Sequence, residues 1–233
     1  MNDKLQTFLE LMNSLDNDEL VLALETELKF TKKELEKISV IIEEIEEYEE
    51  IITKNKSIYK STDKGSLLEA LAAELFREKH FYIKENLRST SNELDLVLVL
   101  KNKSITLMRL DKILNINSNN FIIECKNYNK NVDVTWTSKF AFLVDHHKSD
   151  LGIIVSRLPI TGLNDGKTTW NAAAGLTKKF YLNKNRKIIN ITLDDIKNNI
   201  IDGNYSIYDL IKEKIACLQL DADFKLEKHE ILI

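Results

Sequence analysis

Two short apolar runs carry charge where an ordinary buried strand has none: Ser91 to Leu100 (SNELDLVLVL) and Asn120 to Tyr128 (NFIIECKNY). Both are rich in β-branched or large apolar residues, so both read as strands. Side chains alternate along a strand, which puts Ile122, Glu124 and Lys126 on one face and Phe121, Ile123 and Cys125 on the other. In the first run Glu93, Asp95, Val97 and Val99 share a face. If the two strands pair, a carboxylate from each and an ammonium converge at the end of an apolar sheet. Charges on a half-buried strand cost free energy unless they are paired or bind a metal. The set is therefore either a structural ion pair of Lys126 with Glu124 or Asp95 at a strand end, or a functional site.

The elements around these runs decide how they can be held. From Asp63 to about Lys79 a helix is expected, with Leu68, Leu71, Ala72, Leu75 and Phe76 as its buried stripe. Glu69 falls at the edge of that stripe and points toward the core, while Glu74 and Glu78 lie on the far side. Such a carboxylate is either hydrogen-bonded structurally or a third acid of a site. Strands follow at Phe81–Leu87 and Glu93–Leu100, and Ser104–Leu114 reads as strand or short helix. After Phe121–Tyr128 come a helix over about Val134–Lys148, a buried strand Leu151–Ser156 and a helix over 167–180. A last strand Arg186–Thr192 and helices near 193–200 and 205–219 complete the chain. Helices interleaved with strands predict a three-layer α/β domain with a mixed central sheet.

Glu69 on a helix, Asp95 on one strand, Glu124-Cys125-Lys126 on the next, then a helix, a strand Gly152–Ser156 and a further helix: this order resembles the PD-(D/E)xK nuclease superfamily, most closely its Mrr-type restriction endonuclease branch. The resemblance covers roughly residues 64–200. No proline precedes Asp95, and 28 residues separate Asp95 from Glu124, so an elaborated hairpin is expected between them. The resemblance implies a restriction-endonuclease-like domain that hydrolyses phosphodiester bonds of DNA with Mg²⁺, for which Mn²⁺ would substitute. It implies Asp95, Glu124 and the backbone carbonyl of Cys125 as metal ligands. Lys126 would orient or help deprotonate the attacking water, and Glu69 would hold a metal-bound water or a second ion. Restriction of foreign DNA is the role it suggests. A silent nuclease fold serving as a binding scaffold is the alternative, disfavoured by the intact Asp/Glu-x-Lys set.

The 233 residues suit one α/β domain plus an appendage. Residues 1–60 hold 8 basic and 15 acidic residues, net −7, against 25 and 22 in the rest, net +3. The chain therefore divides into a helical module over 1–60 and a mildly basic nuclease-like domain over 61–233, able to present a local patch to phosphates. In the first part Leu5, Phe8, Leu9, Met12 and Leu15 fall on one helical face. Leu24, Leu28, Thr31, Leu35, Ile38, Ile42, Ile45, Glu49 and Ile52 form a seam with heptad spacing. This predicts an antiparallel hairpin or coiled coil, a homodimer held by these helices, and a surface for a partner protein. No apolar run reaches membrane-spanning length and no signal peptide is recognisable. The two cysteines, Cys125 and Cys217, have no metal-finger or disulfide spacing, so a cytoplasmic protein is expected.

Four other signals are weaker. Gly162 to Thr168 (GLNDGKT) has three residues between its glycines where a phosphate-binding loop needs four. His146 and His147 fall at a helix C-terminus, where cations favour the dipole. Lys139, on the helix after the site, either faces the cleft and touches substrate phosphate or is a solvated lysine. Trp136 and Trp170 read as core residues rather than stacking platforms.

Overall fold

The computed structural model describes residues 28–54, 61–76, 80–88, 93–101, 116–164 and 167–220. The expected helix around Leu5–Leu15 and the undecided segment Ser104–Leu114 lie outside them.

A five-stranded mixed sheet organises the domain, with strand order β1-β2-β3-β4-β7. β1 (Phe81–Arg88), β2 (Glu93–Leu100) and β3 (Asn120–Lys126) are antiparallel neighbours; β4 (Leu151–Ser156) and β7 (Lys187–Thr192) continue the sheet parallel to β3. Every residue of β4 and β7 is buried, as parallel strands covered by helices on both faces require. β1 is an edge strand, and Tyr82 on it is 60% exposed.

Helices cover both faces. On one face α1 (Lys32–Lys54), α2 (Ser61–Phe76), a π-helical segment (Ile196–Ile201) and a C-terminal helix over Ile207–Leu220 enclose a core. That core contains Leu96, Leu98, Phe121, Ile123 and Ile153 of the sheet. On the other face α3 (Val134–His146) and α4 (Ala173–Lys184) pack through Phe140, Val144 and Ala174 against Ile122, Ile154 and Ile188. The architecture is the three-layer α/β arrangement with a mixed sheet that the alternation of elements predicts.

The helical seam behaves differently from expectation in two respects. First, the long helix does not run unbroken from Leu24 to Ile52. It starts at Lys32 behind a capping box, in which the Thr31 amide and hydroxyl donate to Glu34 Oε2 at 2.6 and 2.7 Å and the Glu34 amide donates back to Thr31 Oγ1 at 3.4 Å. Thr31, assigned above to the seam, is the N-cap. Phe30 just before it is buried, and Leu35 packs against the same core, which are the positions of a hydrophobic staple. Second, Ile38, Ile42 and Ile45 are at most 1% exposed within the single chain, in one cluster with Leu68, Leu71 and the sheet. The stripe that was to be covered by a second chain is covered by α2 and the sheet instead. Ile38, Ile42 and Ile45 are therefore not free to form the apolar seam of a homodimer.

Two smaller differences follow from local hydrogen bonding. The helix expected from residue 167 begins at Ala173, because Lys167–Thr168 (β6) pairs with Leu163–Asn164 (β5) as a small hairpin. The amides of Ala173 and Ala174 find partners in Thr161, through its hydroxyl and its carbonyl. Trp170, read as core, is 50% exposed with the Lys179 ammonium 4.7 Å from its ring centroid.

Candidate active site

The site lies where β2 and β3 separate. Their ladder ends with Leu96 opposite Ile123; one step further, Asp95 and Glu124 occupy corresponding positions. There the Asp95 side chain replaces the ladder, its Oδ2 accepting from the Cys125 amide at 2.7 Å. On β1, Asn86 stands across from Asp95 with φ of 49°, a left-handed conformation that asparagine tolerates better than most residues. The strands twist here: Leu96 and Leu98 join the core under α2, while Leu94 joins the core under α3. The regular alternation of faces thus breaks at Asp95, whose charge acts on both Glu69 and Glu124.

Glu124 and Lys126, two residues apart on one face of β3, form an ion pair, with side chains only 13% and 14% exposed. Glu69 reaches the same place from α2. Burial above all, then the negative charges of Asp95 and Glu85, push its carboxyl above the usual range. A hydrogen bond from the Asn86 side chain and the Lys126 charge pull the other way. Glu124 is likewise pushed up, by burial first and by Asp95 second, in spite of Lys126. Burial alone would lower the lysine, but the Glu124 carboxylate, its hydrogen bond and Asp95 outweigh it, so Lys126 is held above its ordinary value and stays an ammonium. The Cys125 thiol is buried and its pKa driven well up by that burial; its sulfur lies 3.9 Å from the Leu68 carbonyl oxygen of α2.

The electrostatics are unbalanced: two carboxylates are shifted toward neutrality, by burial first and by the charge of Asp95 second, while a single lysine compensates them. More positive charge would relieve this, and the donors present are hard oxygens suited to Mg²⁺. Among the described residues no group of three or more His, Cys, Asp or Glu side chains is placed to hold a metal ion by itself. Asp95, Glu124 and a backbone carbonyl are the oxygens that could hold such an ion.

Two clefts flank the site. One, of about 760 Å³, runs between α1, α2 and β1 and is lined by Glu34, Glu69, Glu74 and Glu85. Glu74 faces α1, where it pairs with Lys37 at 3.6 Å, rather than the far side. The other, of about 640 Å³, lies beyond β3 and is lined by Gly65, Lys126, Asn127, Tyr128 and Lys130. Beside it the α3 N-terminus is capped by Asp133, whose Oδ1 accepts from the Thr135 and Trp136 amides. Trp136 carries the ammonium of Lys126 at 4.9 Å and that of the exposed Lys139 at 4.4 Å from its ring centroid.

Of the residues singled out from the sequence, Glu69, Asp95, Glu124, Cys125 and Lys126 stand together, with Lys139 joined to them through Trp136. Sequence reasoning did not find Asn86, Glu85 or the ring between the two lysines. His147 is the C-cap residue of α3, with burial and the neighbouring His146 lowering its pKa. The Gly162–Thr168 segment forms the hairpin of β5 and β6.

No protein-family model matches the sequence, and no curated protein matches it. Among solved structures, the DNA modification-dependent restriction endonuclease AspBHI is similar at 14% identity, with a TM-score of 0.37 over 84% of this chain and 42% of that one. The chain thus spans less than half the length of that enzyme. The class defined by its own topology is a three-layer α/β fold with a mixed sheet: a helix bearing Glu69, three antiparallel strands bearing Asp95 and the Glu124-Cys125-Lys126 run, and parallel strands beyond them. Among the described residues no helix is long and apolar enough to cross a membrane.

Proposed function

We propose that this chain is a metal-dependent endonuclease that hydrolyses phosphodiester bonds of DNA, related to the Mrr-type branch and acting in restriction of foreign DNA. The observation that carries the reading is the Asp95–Cys125 hydrogen bond at 2.7 Å, which sets one carboxylate beside the buried Glu124–Lys126 pair. Asp95, Glu124 and the Cys125 carbonyl would hold Mg²⁺, which supplies charge stabilisation at phosphorus and a more acidic water. Lys126, held as an ammonium, donates hydrogen bonds to the attacking water or to a phosphate oxygen and opposes the negative charge that builds there. Its raised pKa makes it a donor rather than a base in the free protein. Glu69, steadied by Asn86, would orient water at the edge of the set.

The substrate side follows from charge. The cleft holding Lys126 and Lys130, with Lys139 beside it, suits a phosphate backbone, whereas the cleft in which four glutamates outweigh Lys37 repels one. Cutting both strands of a duplex calls for two sites, as an isologous dimer provides; the buried Ile38–Ile45 stripe is not the surface that would join them. The test is incubation of the purified chain with Mg²⁺ or Mn²⁺ and with duplex DNA, single-stranded DNA and RNA. Metal-dependent cleavage of DNA is expected, with binding that weakens as salt rises. Absence of cleavage of all three, with salt-independent binding, would favour the silent scaffold.

A further inference from the structure

We propose that Trp136 is a positioning residue that keeps the Lys126 ammonium in the site when the Glu124 carboxylate is engaged elsewhere. The inference rests on the nuclease reading, since metal binding is what would engage Glu124.

Lys126 has two partners of different kinds. Glu124 is a charge that pairs with it; the Trp136 ring, with its centroid 4.9 Å from Nζ, attracts it through the electron-rich face of the indole. A carboxylate cannot satisfy a lysine and a divalent cation equally. Were Glu124 the sole partner, drawing it away would leave a largely buried ammonium with no counter-group, at a considerable cost. The ring offers attraction without competing for the same oxygen atoms and without adding negative charge to a site that already has an excess.

The placement of the ring is determined. Trp136 sits in the first turn of α3, its amide held by Asp133 Oδ1 at 3.1 Å, and its ring is flanked by Tyr128 with centroids 6.1 Å apart. It is only partly buried, packed against the edge of the core under α3. The same ring holds Lys139 at 4.4 Å, so one aromatic group gathers two ammonium groups at the mouth of the phosphate-side cleft.

The experiment is NMR of the full chain with lysine labelled at Cε, the two signals identified by Lys126→Arg and Lys139→Arg. Both ε-methylene resonances are expected upfield of ordinary lysines through the ring current, and both should return to the ordinary position in Trp136→Leu. The deciding variant is Glu124→Gln, in which the Lys126 signal should stay upfield. Its return to the ordinary position, in a variant that melts as the wild type does, would overturn the proposal. In cleavage, Trp136→Leu should lose roughly tenfold in kcat and Trp136→Phe should recover most of it. Wild-type kcat in Trp136→Leu, with Glu124→Ala inactive, would also overturn it. Undiminished cleavage by Glu124→Ala would sink the nuclease assignment instead, whatever the NMR shows.

Discussion

The carboxylate of Asp95 accepts a hydrogen bond from the backbone amide of Cys125 at 2.7 Å, and this contact ties the two charged strands together where their ladder has ended. Asp95 therefore has a structural task as well as a chemical one, and two substitutions separate them. Asp95→Asn keeps an oxygen to accept from the amide and loses the charge; Asp95→Ala loses both. In urea denaturation Asp95→Ala should be less stable by about 1–3 kcal/mol, the cost of an unpaired buried amide, and Asp95→Asn by less. Neither should cleave DNA. Equal stability of the two would mean that the hydrogen bond does not hold the strands.

Glu69 gives a pH-dependent signature. Folding disfavours its charge through burial, Asp95 and Glu85. Below the ordinary carboxylate range, at about pH 3, it is protonated in folded and unfolded chains alike and contributes no penalty. As pH rises above that range and through its raised folded-state pKa, only the folded chain bears the penalty, so stability falls. Glu69→Gln should melt with the wild type at about pH 3 and above it at about pH 7, while its cleavage is partly lost. A lower melting temperature at pH 7 would mean that the hydrogen bond with Asn86 is the main role of Glu69.

The charged residues of the site were legible because a strand that carries Asp95, or Glu124 and Lys126, contradicts its own apolar pattern unless the charges have a use. Glu69 was legible from helical periodicity alone. Asn86 and Glu85 were not, since their relation to Asp95 depends on strand register, a long-range property. The ring under Lys126 depends on the length of the turn from Asn127 to Asp133 and on the cap that Asp133 provides, only the second of which is written locally. The start of α1 was available in the Thr31–Glu34 capping box, but the heptad spacing across it suggested an unbroken helix. That same spacing says a face is buried without saying against what, and Ile38, Ile42 and Ile45 face their own domain.

The burial of that stripe carries its own test. Ile42→Ala should destabilise the chain by about 2–5 kcal/mol and leave its light-scattering mass unchanged, because Ile42 is 1% exposed within one chain. A chain beginning at Tyr59 lacks α1, exposes Leu68 and Leu71, and should bind hydrophobic dyes or precipitate. A stable, soluble product with the wild-type melting temperature would show α1 to be a separate module.

The helix that carries Trp136 is seated by a close approach. A Cβ at Gly152 of β4 would lie 2.4 Å from Val144 Cγ2 and 2.8 Å from Phe140 Cε1 of α3. Gly152→Ala should therefore cost about 1–3 kcal/mol by overpacking and, by displacing α3, should lower cleavage too. Wild-type stability in thermal denaturation would mean that α3 does not lie so close to the sheet.

The central claim is that Asp95, Glu124 and Lys126 act together on a phosphodiester. Its most direct test is cleavage of supercoiled plasmid DNA in Mg²⁺ by the full chain beside Lys126→Ala, with circular dichroism confirming that both are folded. The wild type is predicted to nick or linearise the plasmid and Lys126→Ala to be slower by roughly 10²–10⁴-fold. Cleavage by the folded variant at the wild-type rate would contradict the account.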